Sequence, residues 1–168
     1  EFVADILRKF NREDYIYTLR PGVLRSRDQI DEFLFDTQRG FCEHYAAAFV
    51  FMLRSAGVPA RVVAGYQGGE INPVNKTVIV HQFDAHAWAE VWYEGQGWVR
   101  VDPTAAVAPE RIEWGLEEAM AEEGSFLAGA PLSPLRYRNL PLLNSLRLRY
   151  DALTYRWQSW VVGFNRDR

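Results

Sequence analysis

The stretch from Gly40 to Gly57 constrains this chain more than any other, because its centre, Tyr45 to Leu53, is apolar on every side. A helix without a polar stripe cannot lie on a surface and has to be surrounded by other elements. The pattern predicts a helix from Cys42 to about Ala56, stopped by Gly57 and Pro59. The fold must then be built around this helix, and any chemistry in its first turn sits on a rigid support. That first turn holds the only cysteine of the 168 residues, in the run Gly40-Phe41-Cys42-Glu43-His44-Tyr45.

The flanking pattern says what does the surrounding. Phe2, Ile6, Leu7 and Phe10 recur at helical spacing. Tyr15 to Gly22 reads as extended or looping, and Ser26 or Asp28 can cap a short helix carrying Ile30, Phe33 and Leu34. From Ala60 the period changes. Arg61–Tyr66, Lys76–Val80, His86–Trp92 and Trp98–Asp102 are candidate strands, rich in β-branched and aromatic residues. Helices followed by antiparallel strands define an α+β class, with a central cysteine-bearing helix packed on a sheet that carries His86 and Asp102. Beyond Pro103 the pattern predicts a helix near Ile112–Glu123, a loop with Gly124, Gly129, Pro131 and Pro134, and a last helix over about Asn144–Phe164. With 48% hydrophobic residues, 168 residues fit one domain. Its core spans about 28–104, and a helical extension covers about 109–168.

Charge and cysteine usage narrow the classes. A net charge of −3 gives no footprint for nucleic acid. One cysteine allows no disulfide within the chain and leaves the redox compartment undetermined. The chain begins at Glu1 and shows neither a signal peptide nor a continuous membrane-spanning apolar run, so it reads as an excised or processed domain. No internal repeat or Gly-rich phosphate loop is found. From Arg136 onward seven arginines face two aspartates, with Trp157 and Trp160 among them. That composition fits a packed amphipathic helix, or a helix near an anionic membrane surface.

A lone cysteine is ordinarily a small buried apolar side chain. Here its context argues otherwise. At a helix start, unpaired backbone N–H groups and the helix dipole favour the thiolate. Downstream lie Asp84-Ala85-His86-Ala87-Trp88 and Gly97-Trp98-Val99-Arg100-Val101-Asp102-Pro103-Thr104. Thiol, imidazole and carboxylate in that order are the parts of a nucleophile, a base and an orienting group. A three-residue turn Tyr93-Glu94-Gly95 would set His86 opposite Asp102, Trp88 opposite Arg100 and Glu90 opposite Trp98, all on one face. A two-residue turn at Gly95-Gln96 would put His86 on the wrong face. Zinc bound by Cys42, His44 and His86 has poor ligand spacing and no second cysteine. Glu43 and His44 are expected to be structural or solvent-facing, Trp88, Trp92 and Trp98 to line core and cleft, and Arg61 and Arg100 to be paired. An oxyanion would meet the Cys42 N–H and a second donor, with Gln29, Gln38, Tyr15 and Tyr17 as candidates.

Gly40-Phe41-Cys42, Gly57-Val58-Pro59-Ala60-Arg61, Gly65-Tyr66, His86-Ala87-Trp88 and Asp102-Pro103-Thr104 together resemble the transglutaminase-like superfamily, a rearranged relative of papain. Phe33-Leu34-Phe35, Glu43-His44-Tyr45-Ala46 and Met52-Leu53-Arg54 resemble its bacterial membrane-anchored branch. The resemblance implies Cys42 as nucleophile, His86 as general base and acid, and Asp102 as the group that orients the imidazole. It implies acyl transfer on an amide through a thioester, as in a protein-glutamine gamma-glutamyltransferase, with no metal and no cofactor. The partners expected are a protein or peptide amide and an amine or water acceptor, with no nucleic acid. Membrane association would run through segments outside these residues, the domain facing the periplasm. An amide hydrolase of the same fold, protease or deamidase, is the alternative within the class. A non-catalytic peptide-binding module of a membrane protein is the alternative outside it.

Overall fold

A computed structural model describes residues 1–113 and 140–163. Among these the chain forms two compact units, one from residues 1–67 and 82–113, the other from 68–81 and 140–163.

The first unit opens with α1 (Phe2–Arg12), which buries Ile6 and Phe10 as its spacing predicts. A two-residue strand β1 (Ile16–Tyr17) pairs in parallel with β2 (Arg39–Gly40). Between them α2 (Gln29–Asp31) runs into a π-helical turn, Glu32–Thr37, that buries Phe33 and Leu34. The predicted short helix therefore exists, but its second half is wound more widely. The wide turn leaves the Leu34 carbonyl to accept from the Tyr15 hydroxyl at 2.9 Å.

The apolar helix is α3 (Cys42–Ser55), and it is the centre of this unit. Tyr45, Ala46, Ala48, Phe49 and Leu53 are completely buried. Phe10, Phe33 and Tyr15 pack against it in the same cluster as Ala60, Ala89 and Val91 of the sheet. One expectation needs correcting: the helix is not enclosed all round, since Phe51 is 48% exposed. Its end is closed by the Gly57 and Val58 N–H groups, which donate to Arg54 and Leu53 carbonyls at 3.0 and 2.9 Å.

A three-stranded antiparallel sheet follows in the order β3 (Ala60–Tyr66), β6 (Ala85–Tyr93), β7 (Gly97–Val101). Ala87, Ala89 and Val91 of β6 are buried, and their small volume lets α3 approach the central strand. The hairpin pairs Tyr93 with Gly97, Glu90 with Arg100 and Ala89 with Val101. Its loop is therefore Glu94-Gly95-Gln96, one residue later than expected, and every predicted pair slips by two. The slip goes with a local feature: Gly97, the first paired residue of β7, adopts a left-handed φ near +80° like Gly95, so the turn sits one residue further along the chain. A shift of two keeps each side chain on its predicted face. Asp102 lies just past β7 and caps a turn of 3₁₀ helix, Pro103–Ala106. The last described element of this unit is α4 (Pro109–Glu113).

The second unit joins a short hairpin, β4 (Glu70–Ile71) with β5 (Val78–Ile79), to a long helix α5 (Pro141–Gly163). Arg147 bridges both carboxylate oxygens of Glu70 at 2.7 and 2.8 Å, and the Asn72 amide donates to the Leu148 carbonyl at 2.8 Å. Leu148 and Ala152 are buried, whereas Leu142, Leu146, Tyr150, Leu153, Trp157 and Trp160 are exposed. No helix among the described residues is long and apolar enough to cross a membrane. The predicted helix beyond 113, the loop after it, and Arg136, Arg138, Arg166 and Arg168 lie outside the described residues.

Candidate active site

Cys42 is the first residue of α3, and the sequence around it explains how it is held there. Gly40 is forced by space: a Cβ at this position would come within 2.7 Å of His44 Cβ and 2.9 Å of a Phe33 ring carbon. The His44 ring packs edge-on against Phe41, and its Nδ1 accepts the Phe41 N–H at 3.4 Å. His44 is thus part of the helix cap, as its structural assignment expected. Cys42 packs with Ala46 and Ala87, with Tyr17 and Phe41 alongside.

His86 enters from β6, beside the buried Ala87. Its side chain is fully buried, and Nε2 lies 2.7 Å from Asp102 Oδ2. With the register observed, the two residues are diagonal neighbours on one face, a separation that long side chains span. Asp102 is itself fixed. Its Oδ1 accepts the Thr104 N–H at 3.2 Å, and Arg100 approaches Oδ2 at 3.3 Å. Since Nε2 is engaged, Nδ1 is the nitrogen left for the thiol, and it is buried with no standard hydrogen-bond partner among the described residues.

The electrostatics follow from this linkage. Burial pushes the Cys42 thiol up, but the His86 ring, the Ala87 backbone N–H and the Arg111 charge outweigh it and hold the thiol below its ordinary range. Burial also disfavours a charged His86, yet Asp102 and Cys42 raise its pKa overall. Asp102 is lowered despite burial, chiefly by His86, then by Arg100 and the Thr104 N–H. Each shift favours a thiolate beside an imidazolium.

Around the linkage the sheet face is built from stacked cations and rings. The Arg100 guanidinium sits 4.2 Å above the Trp88 ring, and Trp88 stacks on His86 with centroids 6.2 Å apart. Gly65, across the sheet from His86, gives Trp88 its room, since a Cβ there would meet Trp88 Cη2 at 2.8 Å. Arg61 pairs with Glu90 at 2.6 Å and lies over Trp98. Both arginines are therefore partnered, as expected. Among the described residues no group of three or more His, Cys, Asp or Glu is arranged to hold a metal ion.

Sequence reasoning named all three linked groups and the structure brings them together. Of the four donor candidates, Tyr17 packs against Cys42. Tyr15 is spent on the Leu34 carbonyl, Gln29 lines a separate hollow with Phe33 and His44, and Gln38 interacts with Tyr15. Arg111 was missed entirely. It is 1% exposed, reaches the Ala85 carbonyl at 3.4 Å and acts on both Tyr17 and Cys42. Only its position in Pro109-Glu110-Arg111, shortly after the Asp102-Pro103-Thr104 motif, hinted at proximity.

Residues 2–103 match the transglutaminase-like superfamily, and the chain belongs to that superfamily. It is 58% identical over 166 residues to a Pseudomonas aeruginosa protein named protein-glutamine gamma-glutamyltransferase. That alignment covers 99% of this chain and 25% of the relative, so the chain spans about a quarter of that protein's length. Two crystal structures of the periplasmic domain of TgpA from Pseudomonas aeruginosa are 61% identical to it. One gives a TM-score of 0.66 over 69% of this chain and 40% of the other. The second, bound to ethylmercury, gives 0.63 over 66% and 40%. The α+β transglutaminase-like fold expected from the sequence is thus borne out.

Proposed function

We propose that this chain carries a cysteine acyltransferase site acting on the side-chain amide of glutamine in a protein or peptide. The observation that carries the reading is the 2.7 Å contact between His86 Nε2 and Asp102 Oδ2, which leaves the second ring nitrogen to a thiol lowered below its ordinary range. The name of the 58% identical relative supports the choice of amide and acceptor.

In this reading the Cys42 thiolate attacks the amide carbon, and the carbonyl electrons move onto oxygen to give a tetrahedral adduct. As the adduct collapses, the C–N bond breaks and the His86 imidazolium gives its Nδ1 proton to the departing nitrogen, so ammonia leaves and a thioester remains. A primary amine then attacks the thioester, neutral His86 takes its proton, and the C–S bond breaks to restore thiolate and imidazolium. The net exchange is glutamine amide plus amine to substituted amide plus ammonia. Asp102 keeps the ring in one tautomer and stabilises its charge without itself taking the proton. With water as acceptor the same steps give a carboxylate. We place the domain in the periplasm, as in the TgpA structures, with membrane attachment through segments outside these residues.

Incubation with a glutamine-containing protein and a labelled primary amine tests the reading. The expected result is label covalently attached to glutamine together with one ammonia released per label. Ammonia released with no label incorporated would make the chain a deamidase. A thiol that forms no acyl-enzyme with any amide or ester would leave a peptide-binding module.

A further inference from the structure

The parallel pairing of β1 with β2 sets Tyr17 directly beside Gly40, two residues before the nucleophile, and the Thr18 N–H locks it there by donating to the Gly40 carbonyl at 2.8 Å. The Tyr17 ring stacks on Tyr45 of α3, with centroids 6.4 Å apart and planes 18° from parallel. This holds the ring against Cys42 and Phe41 and delivers its hydroxyl to the open end of the helix. There the Cys42 N–H is one of the donors that a first helical turn leaves without a helical acceptor. Both the Cys42 N–H and the Arg111 guanidinium act on the Tyr17 hydroxyl, and burial keeps that hydroxyl protonated, its pKa pushed up to about 12.

Arg111 supplies a second, independent observation. Its side chain is almost completely buried, yet Nε and Nη1 have no hydrogen-bond partner among the described residues, and Nη2 has only a long contact to the Ala85 carbonyl. A buried cation with idle donors is costly unless negative charge is present or develops nearby. Cys42 is a source of negative charge that Arg111 acts on, first as thiolate and then, in the acyl-transfer reading, as a tetrahedral adduct.

We propose that the Tyr17 hydroxyl is the second hydrogen-bond donor to the tetrahedral oxyanion, beside the Cys42 backbone N–H, and that Arg111 is a positioning residue that orients and polarises this hydroxyl. The assignment rests on the acyl-transfer reading above. It adds no bond-making step: the hydroxyl keeps its proton and donates it to the oxyanion only as a hydrogen bond. A hydroxyl whose oxygen faces a cation is a stronger donor, because aligned polar groups polarise one another at low dielectric. Such preorganised donors act where charge develops in the transition state.

Two reactions of the same thiol separate this role from any effect on the thiolate. Acylation by p-nitrophenyl acetate passes through an oxyanion, whereas alkylation by iodoacetamide displaces iodide and forms none. In the 168-residue chain, Tyr17→Phe should slow acylation on the order of 10²-fold while leaving alkylation unchanged. Because the Arg111 charge also lowers the thiol, Arg111→Met should slow both reactions, acylation more than alkylation, and that excess should vanish in the Tyr17→Phe background, since for the oxyanion the two act as one unit. Arg111→Lys, with the same non-additivity expected, serves if the Met variant does not fold. Equal slowing of acylation and alkylation by Tyr17→Phe would overturn the assignment by making Tyr17 a thiolate-holding residue. So would a Tyr17→Phe variant that acylates at the parent rate, with the function reading left standing. A parent chain that forms no acyl-enzyme on Cys42 would overturn the function reading, and this assignment with it.

Discussion

Both units hold charged side chains largely out of solvent, but they finish the job differently. In the second unit Arg147 contacts both oxygens of Glu70 and the side-chain Oδ1 of Asn144, at 2.7 to 2.8 Å, and Asn72 reaches the Leu148 backbone. Every one of those donors meets a fixed acceptor, so the network pins α5 to the hairpin and has nothing left to offer. In the first unit His86 is fixed at Nε2 alone, with Nδ1 and the Cys42 thiol left to each other. The two networks have similar burial and similar distances. What separates a structural network from a chemical one is an unfinished atom next to a nucleophile, and the pKa directions of Cys42, His86 and Asp102 follow from it.

Substitutions in the two networks should therefore fail in different assays. The largest effect belongs to Cys42→Ala and His86→Ala, each expected to remove amine incorporation on the order of 10⁶-fold, with the melting temperature held in Cys42→Ala and lowered in His86→Ala, which strips Asp102 of its partner. Activity retained in folded Cys42→Ala would end the covalent mechanism. Asp102→Asn should cost on the order of 10⁴-fold in kcat, because the ring loses its tautomer and its charge partner but the thiol remains. Arg147→Met takes the arginine away from the part-buried Glu70 and should destabilise the second unit by about 1–3 kcal/mol in a urea melt. Cys42 acylation should continue in that variant below the transition. If Arg147→Met instead abolished acylation at full folding, the contrast between the networks would be wrong. Smallest of all, Leu142→Ser on the exposed side of α5 should stay within about 0.5 kcal/mol of the parent.

How far the sequence reached can be traced residue by residue. The central helix was legible because an apolar stretch with clear stop signals has few solutions, and Cys42 came with it. His86 and Asp102 were legible because period-two alternation survives a register error of two. The register itself was not, since the positive φ at Gly97 depends on how the loop closes against Trp92, and composition does not encode that closure. Widening of the helix after Asp31 into a π turn was hidden for a similar reason: it suits the burial of Phe33 and Leu34 beneath Tyr15, a tertiary demand. Phe51 was hidden because an apolar side chain sits on the exposed face, which Glu43, Phe51, Arg54 and Ser55 mark at helical spacing. Arg111 escaped because it stands nearly seventy residues from Cys42 with no pattern to join them, and only folding puts its charge near the thiol.

The central claim is that His86 turns a buried thiol into a nucleophile, and the pH dependence of Cys42 alkylation by iodoacetamide tests it most directly. The rate follows the thiolate fraction, so it rises as pH rises through the Cys42 pKa. In the parent that rise should come below the ordinary thiol value of about 8.5, because His86, Ala87 and Arg111 together outweigh burial. In His86→Ala the main lowering partner is gone while burial remains, so the rise should move upward past the parent's, with Asp102→Asn between the two. A parent whose Cys42 is alkylated only above about pH 8.5, with a profile that His86→Ala does not move, would contradict the account.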